Sequence, residues 1–406
     1  MGRNARGTMV LCFLISVLEG YDLQIISSAG PHLRRTMNLT PDQTGFFFSA
    51  TLIGLGIGAV LGGWIADRIG RKPALIYSTI ALGVFTLATT FAQNFEHVLI
   101  TRIMAGIGLG GAMPAVIALI SEVSGGRNTT SAVTTIICGQ PTGGIISALV
   151  GKTLAEHYGW QSLFLTGGMI TLVLIPLMFI LLPETKPAEA VSGTDNSPKM
   201  SSTRALFGDG RSAGTILLWV LFILTLANLS VLLSWTPILV MGSGFSRSVG
   251  LNAIIAINLG GIAGGVAMSR LIDGFGVRWP MLGLYALMAV SLFLFSGASS
   301  FALLMVFAFF VGFAVLGAQF TLYGVSPQLY PIAGRGAGVG VAVAMGRLGS
   351  ILGPIIMGRV LATGVTEREA LVMMAPVALL AGATLFLLTV VSKIGSSNSD
   401  TAQAVH

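Results

Sequence analysis

The chain has 406 residues, 54% of them hydrophobic and only 9% charged, with a net charge of +7. Soluble domains carry about 25% charged residues, so the composition excludes an ordinary soluble protein and points to one that crosses a membrane many times. The basic excess lies between apolar runs, where it acts as a topology signal and not as a nucleic-acid-binding face.

Glycine contributes 54 residues, 54/406 ≈ 13%, nearly twice the usual ~7%, as close-packed membrane helices require. Apolar runs of about 20 residues fit helices, whereas a membrane barrel would show ~10-residue alternating segments. Twelve spans are predicted, near 8–28, 44–66, 74–92, 97–121, 131–154, 161–182, 215–241, 247–271, 279–298, 301–324, 335–362 and 370–393. The fold class is an all-α membrane protein in two pseudo-symmetric six-helix bundles. The predicted division is 1–182 and 215–393, with a polar cytoplasmic linker at 183–214 and a disordered cytoplasmic tail at 394–406.

The first span follows Arg3 and Arg6 with no small-residue cleavage site, so it reads as a membrane helix and not a removed signal peptide. It carries Glu19 and Asp22, spaced i, i+3 on one helix face. At about 1.5 Å per residue from Thr8 they lie roughly 17–21 Å deep, slightly past the midplane. Cys12 and Cys138 fall inside apolar runs, and neither a disulfide nor a metal site is expected of them.

Between the second and third spans stands Gly63-Trp64-Ile65-Ala66-Asp67-Arg68-Ile69-Gly70-Arg71-Lys72. Gly63 is expected to let helices approach, Gly70 to take a tight turn, and Asp67 to meet a neighbouring helix N-terminus near Arg335. Arg71 is expected to reach Glu122 at the end of the fourth span, closing a cytoplasmic gate. A shift of 206 residues carries Asp67 onto Asp273, Gly70 onto Gly276, and Gly106 and Gly111 onto Gly312 and Gly317, an internal repeat with a degenerate second loop.

Arg102, in the fourth span, sits roughly 8 Å from that helix's opposite end, at the height of Glu19 and Asp22. The three can meet in one polar cluster, as a proton-coupling device or as a structural ion pair. Asp22 is expected to be the more sensitive of the two acids. Arg347, about 18 Å into the eleventh span and without a local acid, suits an anionic ligand that its planar fork can grip. Gln140, Asn228 and Asn258 are predicted near mid-depth, as ligand contacts or as inter-helix hydrogen bonds. Arg359 is placed at the external mouth, unless it only reaches for the interface.

Fourteen Lys and Arg residues lie in loops and ends on one side, against Arg34, Arg35, Lys152, Arg247, Arg359 and Arg368 on the other. Both termini and the linker are therefore expected in the cytoplasm. Gly106-Ile107-Gly108-Leu109-Gly110-Gly111 satisfies a dinucleotide pattern, but inside a membrane span with no preceding strand it is packing.

The loop around Asp67 resembles the signature loop of the major facilitator superfamily. Leu18-Glu19-Gly20-Tyr21-Asp22 is similar to the first-helix motif of its aromatic acid:proton symporter family, the Glu form resembling the 3-(3-hydroxyphenyl)propionate transporters. Arg102-Ile103-Met104-Ala105-Gly106 and Gly346-Arg347-Leu348-Gly349 match that family's fourth and eleventh helices. The resemblance implies a non-enzymatic, proton-coupled importer of a small aromatic carboxylate in the bacterial inner membrane. It works by rocking two bundles, as a monomer, with protons as coupling ion and no other cofactor. The alternatives are a transporter of another organic anion, a drug:proton antiporter, or a receptor that binds without transport. Gln140-Pro141-Thr142-Gly143-Gly144 is one residue short of the antiporter motif, which disfavours exchange.

Overall fold

The computed structural model describes residues 3–123, 138–182 and 201–392, apart from some side chains that include those of Asp67 and Glu122. Twelve long helices run through these residues. They are α1 (Arg3–Thr36), α2 (Pro41–Ile69), α3 (Arg71–Thr90), α4 (Phe95–Val123), α5 (Gly139–Tyr158) and α6 (Gln161–Leu181). The second six are α7 (Ser212–Gly242), α8 (Arg247–Phe275), α9 (Arg278–Ser296), α10 (Phe301–Val325), α11 (Arg335–Ala362) and α12 (Glu367–Val372, resuming as Met374–Ser392). Ten are individually long and apolar enough to cross a membrane, and the other two, α4 and α5, adjoin residues 124–137, outside the described ones. Helices suit such a chain because each satisfies its own backbone where water is absent.

Local signals set the ends. Thr40 caps α2 in a reciprocal box with Gln43, and Thr366 caps α12 in the same way with Glu369. Gly70, at φ 94°, is the single residue between α2 and α3, and Gly276, at φ 71°, ends α8 in the same manner. A side chain at either position would strain the turn. The close approach expected of Gly63 is not there: a Cβ on Gly63 would meet nothing within 4 Å. Gly62 is the residue packed against Gly111, because it is on the α4-facing side of α2 and Gly63 is one residue further round.

The 206-residue repeat is written into the packing. A Cβ on Gly54 would strike the Ile103 backbone, and one on Gly260 the Phe309 backbone. Gly58 meets Ile107 as Gly264 meets Phe313, and Gly143 meets Val17 as Gly349 meets Ile223. Each second pair is the first moved on by 206. At helix level, α1–α5, α2–α4, α3–α4 and α3–α6 recur as α7–α11, α8–α10, α9–α10 and α9–α12. Small residues bring these backbones together, which is what drives association where lipid is as apolar as the side chains.

The halves meet through α1–α7, α2–α11 and α5–α8. Hydrogen bonds across the junction gather from mid-depth toward the end that carries Asn38. Gln24 and Asn258 exchange amide hydrogen bonds of 3.0 and 2.8 Å, and Ser49 Oγ donates to the Ile351 carbonyl at 2.6 Å. Arg247 reaches from α8 to the carbonyls of Ser28 and Gly151 at 3.2 and 3.0 Å. A Cβ on Gly45 would crowd the Pro354 backbone at 2.6 Å, so α2 and α11 lie in direct contact.

The stretch predicted as a linker is partly packed structure. Ser202–Phe207 forms a short helix with Ala205 and Leu206 buried, and the Thr215 hydroxyl donates to the Leu206 carbonyl at 2.7 Å. The seventh helix accordingly starts at Ser212. Residues 183–200 and 393–406, with the rest of the linker and the tail, lie outside the described residues.

Candidate functional site

The first-helix acids have different surroundings. Asp22 is buried and meets Arg102, whose Nη1 donates to its two carboxylate oxygens at 3.2 and 3.4 Å. The Thr86 hydroxyl donates to the same carboxylate at 2.6 Å. Arg102 is wholly buried, and its other nitrogens donate to Thr89 Oγ1 at 3.0 Å, Thr86 Oγ1 at 3.1 Å and the Phe85 carbonyl at 3.4 Å. The Phe164 ring lies 4.9 Å from the guanidinium carbon. This pair ties α1, α3 and α4 together with its hydrogen-bonding capacity largely filled.

Glu19 does not join that cluster. It is 1% exposed, and among the described residues neither carboxylate oxygen has a hydrogen-bond partner. The Gln140 side chain on α5 is its neighbouring hydrogen-bonding group, short of good bond geometry, and the charge of the Arg347 guanidinium on α11, in the other half, reaches it. Gly20 sets this arrangement, since a Cβ there would run into the Gln140 backbone and push α5 away.

Arg347 is half-buried and, among the described residues, makes no hydrogen bond or ion pair. Gly346 and Gly349 hold its helix against Phe222, Leu226 and the Ile223 backbone of α7. Gln140 is half-buried nearby, whereas Asn228 is buried and donates to the Leu224 carbonyl of its own helix at 3.3 Å. The structure thus brings Glu19, Gln140 and Arg347 into one neighbourhood across the two halves. Asn258 is elsewhere occupied: it is fully buried, bonded to Gln24 and to the Ile254 carbonyl, and offers no free group to a ligand in this arrangement.

Around the signature loop, Arg68 lies over the Trp64 ring at 3.8 Å, and Lys72 Nζ donates to the Phe179 carbonyl at 3.2 Å, near the C-terminus of α6. Arg71 is partnered. The predicted Asp67–Arg335 and Arg71–Glu122 contacts fall on side chains outside the described ones. Asp273 is exposed at the end of α8. Arg359, exposed on α11, pairs with Asp42 of α2 at 3.4 Å.

Sequence reasoning missed Thr86, Thr89, Gln24 and Arg247. Thr86 and Thr89, spaced i, i+3, share a face of an apolar helix, which was the available signal for the cradle around Arg102. Gln24 carried none beyond being polar in a span.

The sequence profile of the Major Facilitator Superfamily matches residues 12–271 and 253–405. The chain is 36% identical over 381 residues to the 3-(3-hydroxy-phenyl)propionate transporter of Escherichia coli (strain K12), covering 94% of this chain and 93% of that one. It is 31% identical over 414 residues to a 4-hydroxybenzoate transporter of Pseudomonas aeruginosa, covering 95% and 92%. A crystal structure of a D-xylose-proton symporter superposes with a TM-score of 0.75 at 20% identity, over 97% of this chain and 98% of that one. Twelve helices in two repeated halves, matched along nearly their whole length by transporters, make this chain a member of the Major Facilitator Superfamily.

Proposed function

We propose that the protein imports a small aromatic carboxylate together with protons, by alternating access of a midplane site between its two halves. The observation that carries the reading is Arg347, a half-buried guanidinium without hydrogen bond or ion pair among the described residues, facing the unpartnered carboxylate of Glu19. An unpaired charge inside a membrane protein is costly, and an anionic substrate relieves that cost by giving the fork a matched carboxylate. The relatives are named for aromatic acids, which supplies the ring.

Glu19 takes the coupling role. Asp22 is held by Arg102 and Thr86, so its place is structural, whereas Glu19 has no such partner. The substrate's carboxylate and that of Glu19 compete for one guanidinium. The site can accept the anion without excess negative charge when Glu19 carries a proton. Gln140 is placed to bond the substrate's polar end, with Asn228 lining the α7 side. The basic asymmetry supports an inner-membrane orientation with both termini in the cytoplasm. The halves are then latched at the periplasmic end, an inward-facing arrangement.

The test is uptake of labelled 3-(3-hydroxyphenyl)propionate into liposomes holding purified protein, under an imposed proton gradient. Arg347→Ala should be folded and monodisperse yet fail to bind, and Arg347→Lys should lose most of the affinity because a point charge cannot match two oxygens. Glu19→Gln should exchange substrate but not accumulate it. Wild-type binding by Arg347→Ala, or full uphill accumulation by Glu19→Gln, overturns the assignment.

A further inference from the structure

At the end that carries Asn38, away from the midplane site, a cavity of about 520 Å³ opens between α1, α7 and α12. That volume is within the range of small-molecule sites, which begin near 300 Å³. Leu39, Ile238 and Met241 give it an apolar lining, Arg34 and Arg35 a basic side, and Glu367 an acidic one. Among the described residues these two arginines and Glu367 make no hydrogen bond or ion pair, so opposite charges face one cavity without closing on each other. Glu367 lies over Gly242, where a Cβ would meet its carboxyl group. Arginines in the last turn of α1 would complement the helix dipole anywhere, but that role needs neither a cavity nor a carboxylate across it.

We propose that this cavity is a second, peripheral site for hydroxylated aromatic carboxylates, with Arg34 and Arg35 holding the carboxylate and Glu367 accepting a hydrogen bond from a ring hydroxyl. The ring lies against Leu39, Ile238 and Met241, an apolar stretch between two polar ends that matches the ligand's own layout. The inference rests on the import reading for substrate class and sidedness. On that reading the cavity is periplasmic and collects substrate while the latch below it is closed.

The experiment measures initial uptake of 3-(3-hydroxyphenyl)propionate and of unsubstituted 3-phenylpropionate by right-side-out vesicles. The double variant Arg34→Ala/Arg35→Ala should raise KM for the hydroxylated acid about tenfold at unchanged maximal rate, the loss expected for charge-assisted hydrogen bonds at a site that feeds transport. Glu367→Gln should weaken the preference for the hydroxylated acid and leave the unsubstituted one unaffected. Gly242→Ala, which displaces the Glu367 carboxyl, should do the same. An unchanged KM in the double variant overturns the proposal. So does a rise that disappears at high salt, which is surface steering alone. If wild-type vesicles accumulate neither acid, the import reading fails on its own. The cavity is then judged by equilibrium binding of 3-(3-hydroxyphenyl)propionate to the purified protein: binding weakened by Arg34→Ala/Arg35→Ala supports the site, and binding unchanged removes it.

Discussion

Asn258→Ala tests the latch between the halves. Asn258 and Gln24 exchange two buried hydrogen bonds, each worth about 1 kcal/mol net, so truncating Asn258 removes roughly 2 kcal/mol from the latched state. Gln24, only 5% exposed, is then stranded while the halves are together, which acts in the same direction. When the halves part, water can serve both amides, so the open state loses little. The balance should move toward opening by about 30-fold. The reporter is Ser49→Cys in a background lacking Cys12 and Cys138, since Ser49 is buried against α11 in the same junction. An impermeant maleimide added outside intact cells should label it about 30-fold faster in the Asn258→Ala protein. Asn228→Ala should leave the rate unchanged, because among the described residues Asn228 bonds only within α7. Equal labelling with and without Asn258 would show that the pair does not hold the halves, and the reasoning from buried amides would fall.

Arg102→Ala strands the Asp22 carboxylate and should lower stability by about 3–5 kcal/mol, read as a fall in the thermal unfolding midpoint; Arg347→Ala should leave that midpoint near wild type. Leucine at Gly54 or at its mate Gly260 should abolish folded protein by size-exclusion chromatography, while Gly56→Ala, with nothing within 4 Å of the new carbon, should not. A cysteine at Ser246 should react with an impermeant thiol reagent in intact cells and one at Ser197 only after permeabilisation; the reverse pattern would invert the topology. Asp67→Asn should reduce transport at normal expression, and wild-type turnover would dispose of a gate at the signature loop.

Much of the fold was legible because membrane helices leave strong marks. Span lengths, the turn at Gly70 and the 206-residue repeat each follow from local chemistry, and most helix ends fell within a few residues of those expected, although α1 runs to Thr36, eight residues past the predicted end. The packing side of a glycine was harder to read. In Gly62-Gly63 the adjacent residues differ by a third of a turn, and only the position of α4 decides which one is buried. The end of the linker carries packed structure, because Ser201 caps a short helix whose Ala205 and Leu206 are buried. Relative height was readable for Asp22 and Arg102, which pair, but azimuth was not. Residues three apart on a helix still differ by about 60° in direction, and here that separates Asp22, which meets α3 and α4, from Glu19, which lies toward α5 and α11.

That difference in direction bears on how the empty carrier returns. On the proposed reading, an Arg347 that has released its substrate has no carboxylate from the ligand, and moving it between the two access states unpaired would be costly. Glu19, having given its proton to the cytoplasm, is an anionic group in the opposite half that interacts with its charge. The ionised pair lowers the charge cost of the empty state, and reprotonation of Glu19 from outside frees the guanidinium for the next anion. The Asp22–Arg102 pair cannot serve in this way, because both of its members lie in one half and their bonds need not change as the halves rock. A variant lacking the Glu19 charge should therefore be deficient in the return of the empty protein, not in the passage of the loaded one. This is why exchange of substrate for substrate should survive Glu19→Gln when net uphill uptake does not.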